Sequence, residues 1–521
     1  MALHIFLSIY VITFVIIAII QSSNANNLNY VAFSFDTSEI IGNFWSAGSA
    51  LSQLKKERFQ ILTKALIENK YSSSSTTAII RVGGTDADNV FWNVSAPGKP
   101  KPKFTGDKYT LNSTRLEVLC NYIHLTNLSL VLGLNGGIHH RFESNKSWNP
   151  APAKSLLEYL TNPISKCYGH LYAVELTNEP NLFLESQKFY LSGKQLALDY
   201  AKLKELILEL NLTEVKIAGI DVAYQFPIGL GPVVPTTKYF LEHGGGKYLD
   251  ILTWHWYALE SSRCPFKGKF SPATQSTAMS LNTLNKGDRW NIKLNELQAK
   301  YAPNSELWLG EMSLVSCGGA ENITNTFCGS FWYIDELCRR ALQGNKVIVR
   351  QTITGSRYGM IDATTLNPLP DYWTSLLYNT LVGANVHNVT AINVISKNDK
   401  NNNLRAYAFS NKNDPKQYQY TIVLINIDPM LEFKIDEINI DGVDISTKIN
   451  SRMEYHIRST SSNTTVSNIL SNNKIKVNNV TLVVGADNVV PSIVDLGAMK
   501  NNNLKDEPLS IDRLSFAFIL M

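Results

Sequence analysis

The sequence is poor in the features that mark several common functions. Its 48 Lys+Arg and 44 Asp+Glu leave a net charge of only +4 across 521 residues. It therefore lacks the basic surplus of a dedicated nucleic-acid binder, and no nucleic-acid partner is expected. None of its six cysteines has metal-ligand spacing. No glycine-rich dinucleotide fingerprint follows the first predicted strand. Neither a metal nor an organic cofactor is implied. Beyond residue 20 no apolar run is long enough to cross a bilayer. Disorder is excluded as the overall state, because 44% of the residues are hydrophobic and 18% charged. The length suits one large domain with a smaller one, or several of average size.

What is present begins with the apolar run Leu3 to Ile20, closed by Gln21, Ser22, Ser23 and Asn24. Ser23-Asn24-Ala25 fits the small-x-small rule, so residues 1–25 are expected to be a signal peptide cleaved after Ala25. No Lys or Arg precedes the run, and its length also fits a signal anchor. The expected location is extracellular or lysosomal, reached through the secretory pathway, with no membrane span left after cleavage. Acceptor sequons then gain meaning at Asn93, Asn112, Asn127, Asn145, Asn211, Asn322, Asn388, Asn463 and Asn479. The even cysteine set (Cys120, Cys167, Cys264, Cys317, Cys328, Cys338) implies disulfides in that compartment, with the connectivity open.

Short apolar runs alternate with amphipathic segments through the first two thirds of the chain. Strands are predicted over 31–35, 79–82, 128–134, 171–176, 215–220, 251–255, 307–310 and 346–351. Each is apolar on both faces and ends near Gly, Asn, Asp or Glu, as strands of a parallel sheet do. Helices are predicted over 51–69, 195–210 and 327–342. Strand–helix alternation over about 350 residues predicts a (β/α)8 TIM barrel spanning 26–388. From residue 389 to 521, short alternating runs joined by Asn/Asp/Ser-rich turns predict an antiparallel β-sandwich domain. The apolar end, 514–521, reads as its last strand.

In a barrel of this kind the chemistry sits at the C-terminal ends of the strands. Glu179 follows the fourth strand in Asn178-Glu179-Pro180, and Glu311 follows the seventh in Gly310-Glu311. Two carboxylates facing each other across the mouth are the minimum equipment for glycoside hydrolysis, one protonated to serve the leaving oxygen and one ionised to attack. Asn178 is placed to bond the 2-hydroxyl of the reacting sugar. The alternatives, a solvated turn at Glu179 and a helix-dipole acid at Glu311, explain each motif singly but not the pair.

An ordered set of motifs carries a resemblance: Arg81-Val-Gly-Gly-Thr85, Gly133-Leu-Asn135, Glu175 to Phe183, Thr253-Trp-His-Trp-Tyr257, Leu307 to Glu311, Gly318-Gly-Ala320, Val349-Arg-Gln351 and Leu369-Pro-Asp-Tyr-Trp373. With these the chain resembles the heparanase branch of glycoside hydrolase family 79. The resemblance implies a retaining endo-β-glucuronidase with Glu179 as general acid/base and Glu311 as nucleophile. It also implies substrate contacts at Asp36, Thr85, Asn178, His255, Tyr257, Gly318, Gln351 and Tyr358. Tyr257 or Tyr358 could hold Glu311 ionised by a hydrogen bond. Retention requires carboxyl groups about 5–5.5 Å apart. Trp254, Trp256 and Trp373 are read as packing, and Trp45 and Trp92 as weaker candidates for stacking on sugars. Arg350 is read as equally suited to a structural ion pair.

The chain also departs from the family pattern. Asp86 stands where a lysine is expected after Thr85, and the stretch around Phe226 lacks the family's basic pair. Basic residues lie elsewhere, at Lys99, Lys101 and Lys103 in a proline-spaced run and at Arg263, Lys267 and Lys269 after the sixth strand; these could contact an anionic chain. Only a short loop, 93–108, replaces the long excised insert of the latent animal enzyme, so a single-chain monomer is expected. Cys317 stands where a glycine is expected, with Cys264 or Cys328 as its partner, and Cys120 is matched to Cys167. The leading substrate is the heparan sulfate of proteoglycans. A less sulfated or unsulfated glucuronide is the second reading, and a catalytically silent glycan-binding protein the third.

Overall fold

In the computed structural model, residues 28–521 are described apart from 42–49, 69–75, 100–108, 225–232, 265–268, 270, 384–388, 397–398, 411–417, 441, 447–450 and 505. The expected signal peptide, 1–25, lies outside the described residues, as do Trp45, Lys101, Lys103, Phe226, Lys267 and Asn388. Among the described residues no helix is long and apolar enough to cross a membrane.

Eight parallel strands close into a barrel: β1 (Val31–Asp36), β2 (Ile79–Gly83), β3 (Ser129–Gly133), β4 (Leu171–Glu175), β5 (Lys216–Tyr224), β6 (Ile251–Leu259), β7 (Glu306–Val315) and β8 (Ile348–Arg350). Each pairs with the next in sequence, and β8 returns to β1. A helix follows each strand: α1 (Glu57–Ile67), α2 (Ser113–Thr126), α3 (Ala151–Leu160), α4 (Gly193–Glu209), α5 (Val233–Glu242), α6 (Asp288–Tyr301), α7 (Phe327–Leu342) and α8 (Pro370–Leu381). Their ends are written in the sequence. Asn112 and Ser192 cap α2 and α4 by accepting the N–H of Arg115 and Gln195. Asn127 closes α2 in the left-handed conformation. The predicted 51–69 helix is two helices, Ala50–Leu54 and α1, broken at Lys55–Lys56. Gln60 caps the first piece by bonding the Leu54 carbonyl.

The barrel interior follows the two-residue period of a strand. Ala32, Ile79, Val131, Ala173, Ala218, Ile251, Trp308 and Val349 form one buried apolar cluster, with Trp308 stacked on Tyr172. Two residues further along the strands, the side chains turn polar: Ser34 on β1, Arg81 on β2, Glu175 on β4 and Thr253 on β6, with Gln351 just past β8. An apolar layer thus floors a polar one, and the polar layer opens toward the C-terminal mouth.

Strands β5, β6 and β7 run further than the sequence suggests, to Tyr224, Leu259 and Val315. Glu311 therefore lies inside a strand rather than after it, and His255 in mid-strand rather than at a strand end. Pairing of β6 with β7 continues through a bulge. Trp254 pairs with Leu309 but His255 pairs with Glu311, so Gly310 is an extra residue. The β7 register against β8 also slips, between Leu309 and Met312. A β-carbon on Gly310 would lie 3.2 Å from Asp221 Oδ1 and from Thr253 Cβ, a tight contact in which these neighbours would have to give by a few tenths of an ångström.

The C-terminal domain is built on an antiparallel sheet of β9 (Val389–Ala391), β10 (Leu404–Ser410), β11 (Tyr420–Asn426), β12 (Arg452–Ser459), β13 (Ile475–Val477), β14 (Val480–Thr481), β15 (Ala498–Lys500) and β16 (Ser515–Leu520). The final strand sits in its middle, between β11 and β12. One face of this sheet, through Ile422, Leu424, Ala517 and Ile519, packs on the smaller sheets that hold Ile435, Ile438, Leu509 and Ile511. The other face meets the barrel helices: Phe516 contacts Phe327 and Phe331 of α7, and Phe409 contacts Tyr378 of α8. Cys120 and Cys167 are joined, tying α2 to the segment entering β4.

Candidate active site

The polar layer is organised by one buried cation. Arg81, 1% exposed, donates through Nε to Glu175 Oε2 (2.8 Å), through Nη1 to Glu311 Oε2 (2.7 Å) and through Nη2 to Asn178 Oδ1 (3.0 Å), with Asp221 at 3.9 Å. Because Arg81 holds the Asn178 oxygen, the amide N–H2 is the end of Asn178 available to a sugar hydroxyl. Asp88 fixes the backbone beneath it, accepting the N–H of Asn178 (2.7 Å) and of Gly136 (3.0 Å). Glu179 follows in a left-handed conformation (φ 50°), its N–H on the Asp221 carbonyl.

Glu179 and Glu311 face each other with His255 between them. A carboxylate oxygen of each and an imidazole nitrogen all lie within 4.8 Å of one another. The His255 ring is fully buried and clamped at both ends, Nδ1 to Glu179 Oε1 and Nε2 to Asp221 Oδ1, each 3.2 Å. Tyr257 donates its hydroxyl to Glu311 Oε1 at 2.5 Å, so of the two tyrosines considered it is Tyr257 that bonds the glutamate.

These surroundings separate the two carboxyl groups. Burial raises the pKa of Glu179 above the ordinary glutamate value; the His255 bond opposes this and the Glu311 charge adds to it. Burial alone would raise Glu311 too. There the charges of His255 and Arg81, with hydrogen bonds from Tyr257 and Arg81, outweigh it and hold the group below the usual range. Burial also works against a charged His255, but Glu311 and the bonds to Asp221 and Glu179 push it up to about 10. The surrounding acids thus favour the charged imidazole. Asp36 rises to about 7, first through burial, against bonds from Ser38, and then through the charges of Glu311 and Asp86.

The remaining predicted contacts surround this pair. Asp36 accepts from Ser38 Oγ (2.6 Å) and from Gln351 Nε2 (3.1 Å), and Gln351 in turn accepts from Ser34. Tyr358 is buried within the fields of Asp36 and Glu311 and bonds Gln351. Thr85 is exposed on the turn directly after β2. Gly318 has φ +79°, and a β-carbon there would collide with Arg263 Nη2 at 1.8 Å, so the loop after β7 needs glycine at this point. Cys317 pairs with Cys264, fastening that loop to the loop after β6. Cys328 and Cys338 are unpaired and buried on α7.

The basic residues divide. Half-buried Arg263 donates to the Cys317 carbonyl (3.1 Å), and its pKa is lowered by burial and then by the neighbouring Arg357. Lys99 is exposed and 3.9 Å from Glu158 on α3, on the outer ring of the barrel. Lys269 is exposed. Trp92, at 1% exposure, is core rather than a stacking platform, and Trp254, Trp256 and Trp373 are buried as expected. Arg350 forms an ion pair with Asp371 on α8 at 2.7 Å. The described sequons are exposed except Asn93, which is half-buried.

Sequence reasoning passed over four residues of this layer. Arg81 and Glu175 stand inside the motifs, Asp88 just past the first, and Asp221 directly after the predicted strand 215–220. Each is a charged residue at or just past the C-terminal end of a strand run, which is the signal that could have found them. The bulge supplies a test. Gly310→Ala forces Thr253 or Asp221 to give way and shifts Glu311. An activity loss of about tenfold or more is expected, with only a modest fall in melting temperature. Equal loss of activity and folded protein would show the glycine to be purely structural.

A carboxyl whose pKa is raised opposite one whose pKa is lowered, at the mouth of a (β/α)8 barrel, is the equipment of a glycoside hydrolase. The family model described as "Glycosyl hydrolase family 79, N-terminal domain" matches residues 59–338, more than half of the chain. The chain belongs to this family. Heparanase of Mus musculus is 31% identical over 278 residues, 53% of this chain and 48% of the mouse protein. Inactive heparanase-2 of Homo sapiens is 30% identical over 279 residues, 53% of this chain and 43% of that protein. Hyaluronoglucuronidase of Hirudo nipponia is 28% identical over 389 residues, 68% of this chain and 73% of the leech protein. The chain spans about half the length of the heparanases it matches.

Proposed function

We propose that this chain is a secreted, N-glycosylated, retaining endo-β-glucuronidase that cleaves internal linkages of heparan sulfate, with Glu179 as general acid/base and Glu311 as nucleophile. The carrying observation is the carboxylate pair, whose oxygens approach within 4.8 Å. So close an approach of one oxygen of each supports retention, for which the two carboxyl groups stand about 5–5.5 Å apart. Glu311 attacks the anomeric carbon while the glycosidic C–O bond breaks and the leaving oxygen takes the Glu179 proton. Glu179, now a carboxylate, takes a proton from water; that water attacks the same carbon and releases Glu311. Asn178 bonds the 2-hydroxyl, and Tyr257 and Arg81 keep Glu311 ionised between turnovers. Asp36, Gln351, Gly318 and Tyr358 form the wall that meets the glucuronate, with Arg263 and Arg357 behind it.

A second reading, a less sulfated or unsulfated glucuronide, has its own observation. Asp86 is close enough for its charge to raise Asp36, so this side of the cleft repels a sulfate. Similarity to the leech hyaluronoglucuronidase supports it over more of the chain. Assays on heparan sulfate, hyaluronan and a chromogenic glucuronide separate the readings, with Glu179→Gln and Glu311→Gln as controls. Chain shortening of heparan sulfate supports the first reading; cleavage of hyaluronan alone supports the second. Release of terminal glucuronate only contradicts endo action, and no turnover of any substrate leaves the silent glycan-binding reading.

The pH profile follows from the two shifts. Activity needs Glu311 ionised and Glu179 protonated. Activity is lost at low pH as Glu311 gains its proton, below the ordinary glutamate pKa, and at higher pH as Glu179 loses its own, above it. Ionisation of Asp36 near pH 7 adds a negative charge beside an anionic sugar, so KM is expected to rise there. Initial rates from pH 3 to 9 test this, the range being about that of carboxyl and imidazole titrations. A flat profile across that span contradicts it.

A further inference from the structure

Independently of the hydrolase reading, we propose that His124 and His170 bind a divalent transition-metal ion (zinc, copper or nickel) at the end of the barrel opposite the carboxylates. His124 lies in the last turn of α2, leading into β3, and His170 is the residue before β4. Both therefore sit at the N-terminal ends of the strands, away from the mouth. His124 Nδ1 and His170 Nε2 are 3.3 Å apart, with the rings at 88°. Two imidazole nitrogens on one tetrahedral ion, with metal–nitrogen bonds of about 2.0–2.1 Å, are separated by about 3.3 Å.

The second nitrogen of His170 fixes its tautomer. Nδ1 lies 2.9 Å from the Leu128 carbonyl, which only accepts, so Nδ1 carries the proton and Nε2 keeps its lone pair on the His124 side. A backbone carbonyl behind the ligating ring is the usual support of a metal-binding histidine. The frame around the pair is rigid. The Cys120–Cys167 disulfide joins the helical turn before His124 to the segment three residues before His170. The His170 N–H bonds the Cys167 carbonyl (2.9 Å), and the His170 carbonyl accepts the Leu130 N–H (2.7 Å). His124 is exposed and His170 half-exposed, leaving the other coordination positions to water. Without metal, the pair shares one Nδ1–H···Nε2 hydrogen bond. On binding, His124 moves its proton to Nε2 and no net proton is released. Two neutral imidazoles select borderline ions and not Mg2+ or Ca2+.

The test is calorimetric titration of the untagged, chelator-stripped protein with zinc chloride and with nickel chloride. One ion per chain is expected to bind in the micromolar range and to raise the melting temperature. His124→Ala and His170→Ala are each expected to weaken binding at least about tenfold, with hydrolytic activity unchanged and the metal-free melting temperature lowered by no more than a few degrees. Glu311→Gln is expected to bind as the parent does, which separates this pair from the Glu179–His255–Glu311 cluster. Absence of binding at millimolar zinc, binding unaffected by both histidine variants, or binding lost in Glu311→Gln would each overturn the proposal.

Discussion

Glu311→Gln is expected to lower kcat by at least about 10^4-fold on every glucuronide, whatever its leaving group. The amide is close to isosteric, and Tyr257 and Arg81 keep oxygen or amide contacts, so the melting temperature is expected to move by only a few degrees. What disappears is the electron pair that forms the bond to the anomeric carbon. Glu179→Gln behaves differently. It removes a proton donor, a loss of about 10^2–10^4-fold, and the loss is largest where the leaving oxygen most needs protonation. An aryl glucuronide with a good leaving group is expected to retain much of its first-step rate in Glu179→Gln and none of that advantage in Glu311→Gln. Values of kcat/KM, which report the first step, on an aryl glucuronide and on a polysaccharide, for both variants, measure this contrast. Equal losses on both substrates would undo the assignment of roles.

Arg81→Met is expected to produce the largest combined effect on stability and activity. The side chain is buried against Glu175, Glu311 and Asp221, and its removal strands acids that have no water to turn to. Breaking such a cluster by deleting one partner costs about 3–5 kcal/mol. The cost has a pH signature. Glu175 is already pushed up to about 7, by burial first, with Arg81 opposing. Without Arg81 it rises further. An acid whose folded pKa exceeds its unfolded one binds protons more tightly when folded, so its stability contribution is lost as pH rises from the unfolded toward the folded value. The melting-temperature gap between Arg81→Met and the parent is therefore expected to widen as pH rises, Glu311 contributing from acidic pH upward and Glu175 above about pH 7. Activity falls at least about 10^2-fold at any pH, because Glu311 loses both its position and its depressed pKa. A pH-independent gap would mean that the variant fails through lost packing instead.

Much of this was legible in the sequence, for identifiable reasons. Buried parallel strands write themselves as short apolar runs ending in Gly, Asn or acid, and all eight strand runs fall on barrel strands. Glu179 and Glu311 stood out because the chemistry of a barrel is confined to one end. The bulge at Gly310 was not legible, because a single glycine after Trp308-Leu309 reads as a strand end; only pairing to β6 shows the strand continuing. Arg81 lay inside a quoted motif, yet its partners are 94 and 230 residues away, and no local pattern announces them. The place of β16 in the centre of its sheet is likewise a matter of topology, since an apolar run says that a strand is buried but not which neighbours bury it. Trp92 was misjudged because an aromatic beside a loop looks exposed until the packing over it is known.

The central claim is that Glu311 forms a covalent bond to the sugar while Glu179 handles the proton. A 2-deoxy-2-fluoro-glucuronyl fluoride tests it most directly, because the fluorine at C2 slows breakdown of the intermediate more than its formation matters with so good a leaving group. The account predicts that the intact protein gains the mass of one fluoroglucuronyl residue, that the peptide carrying Glu311 bears it, and that Glu311→Gln stays unlabelled. No adduct, or an adduct on any other residue, would contradict it.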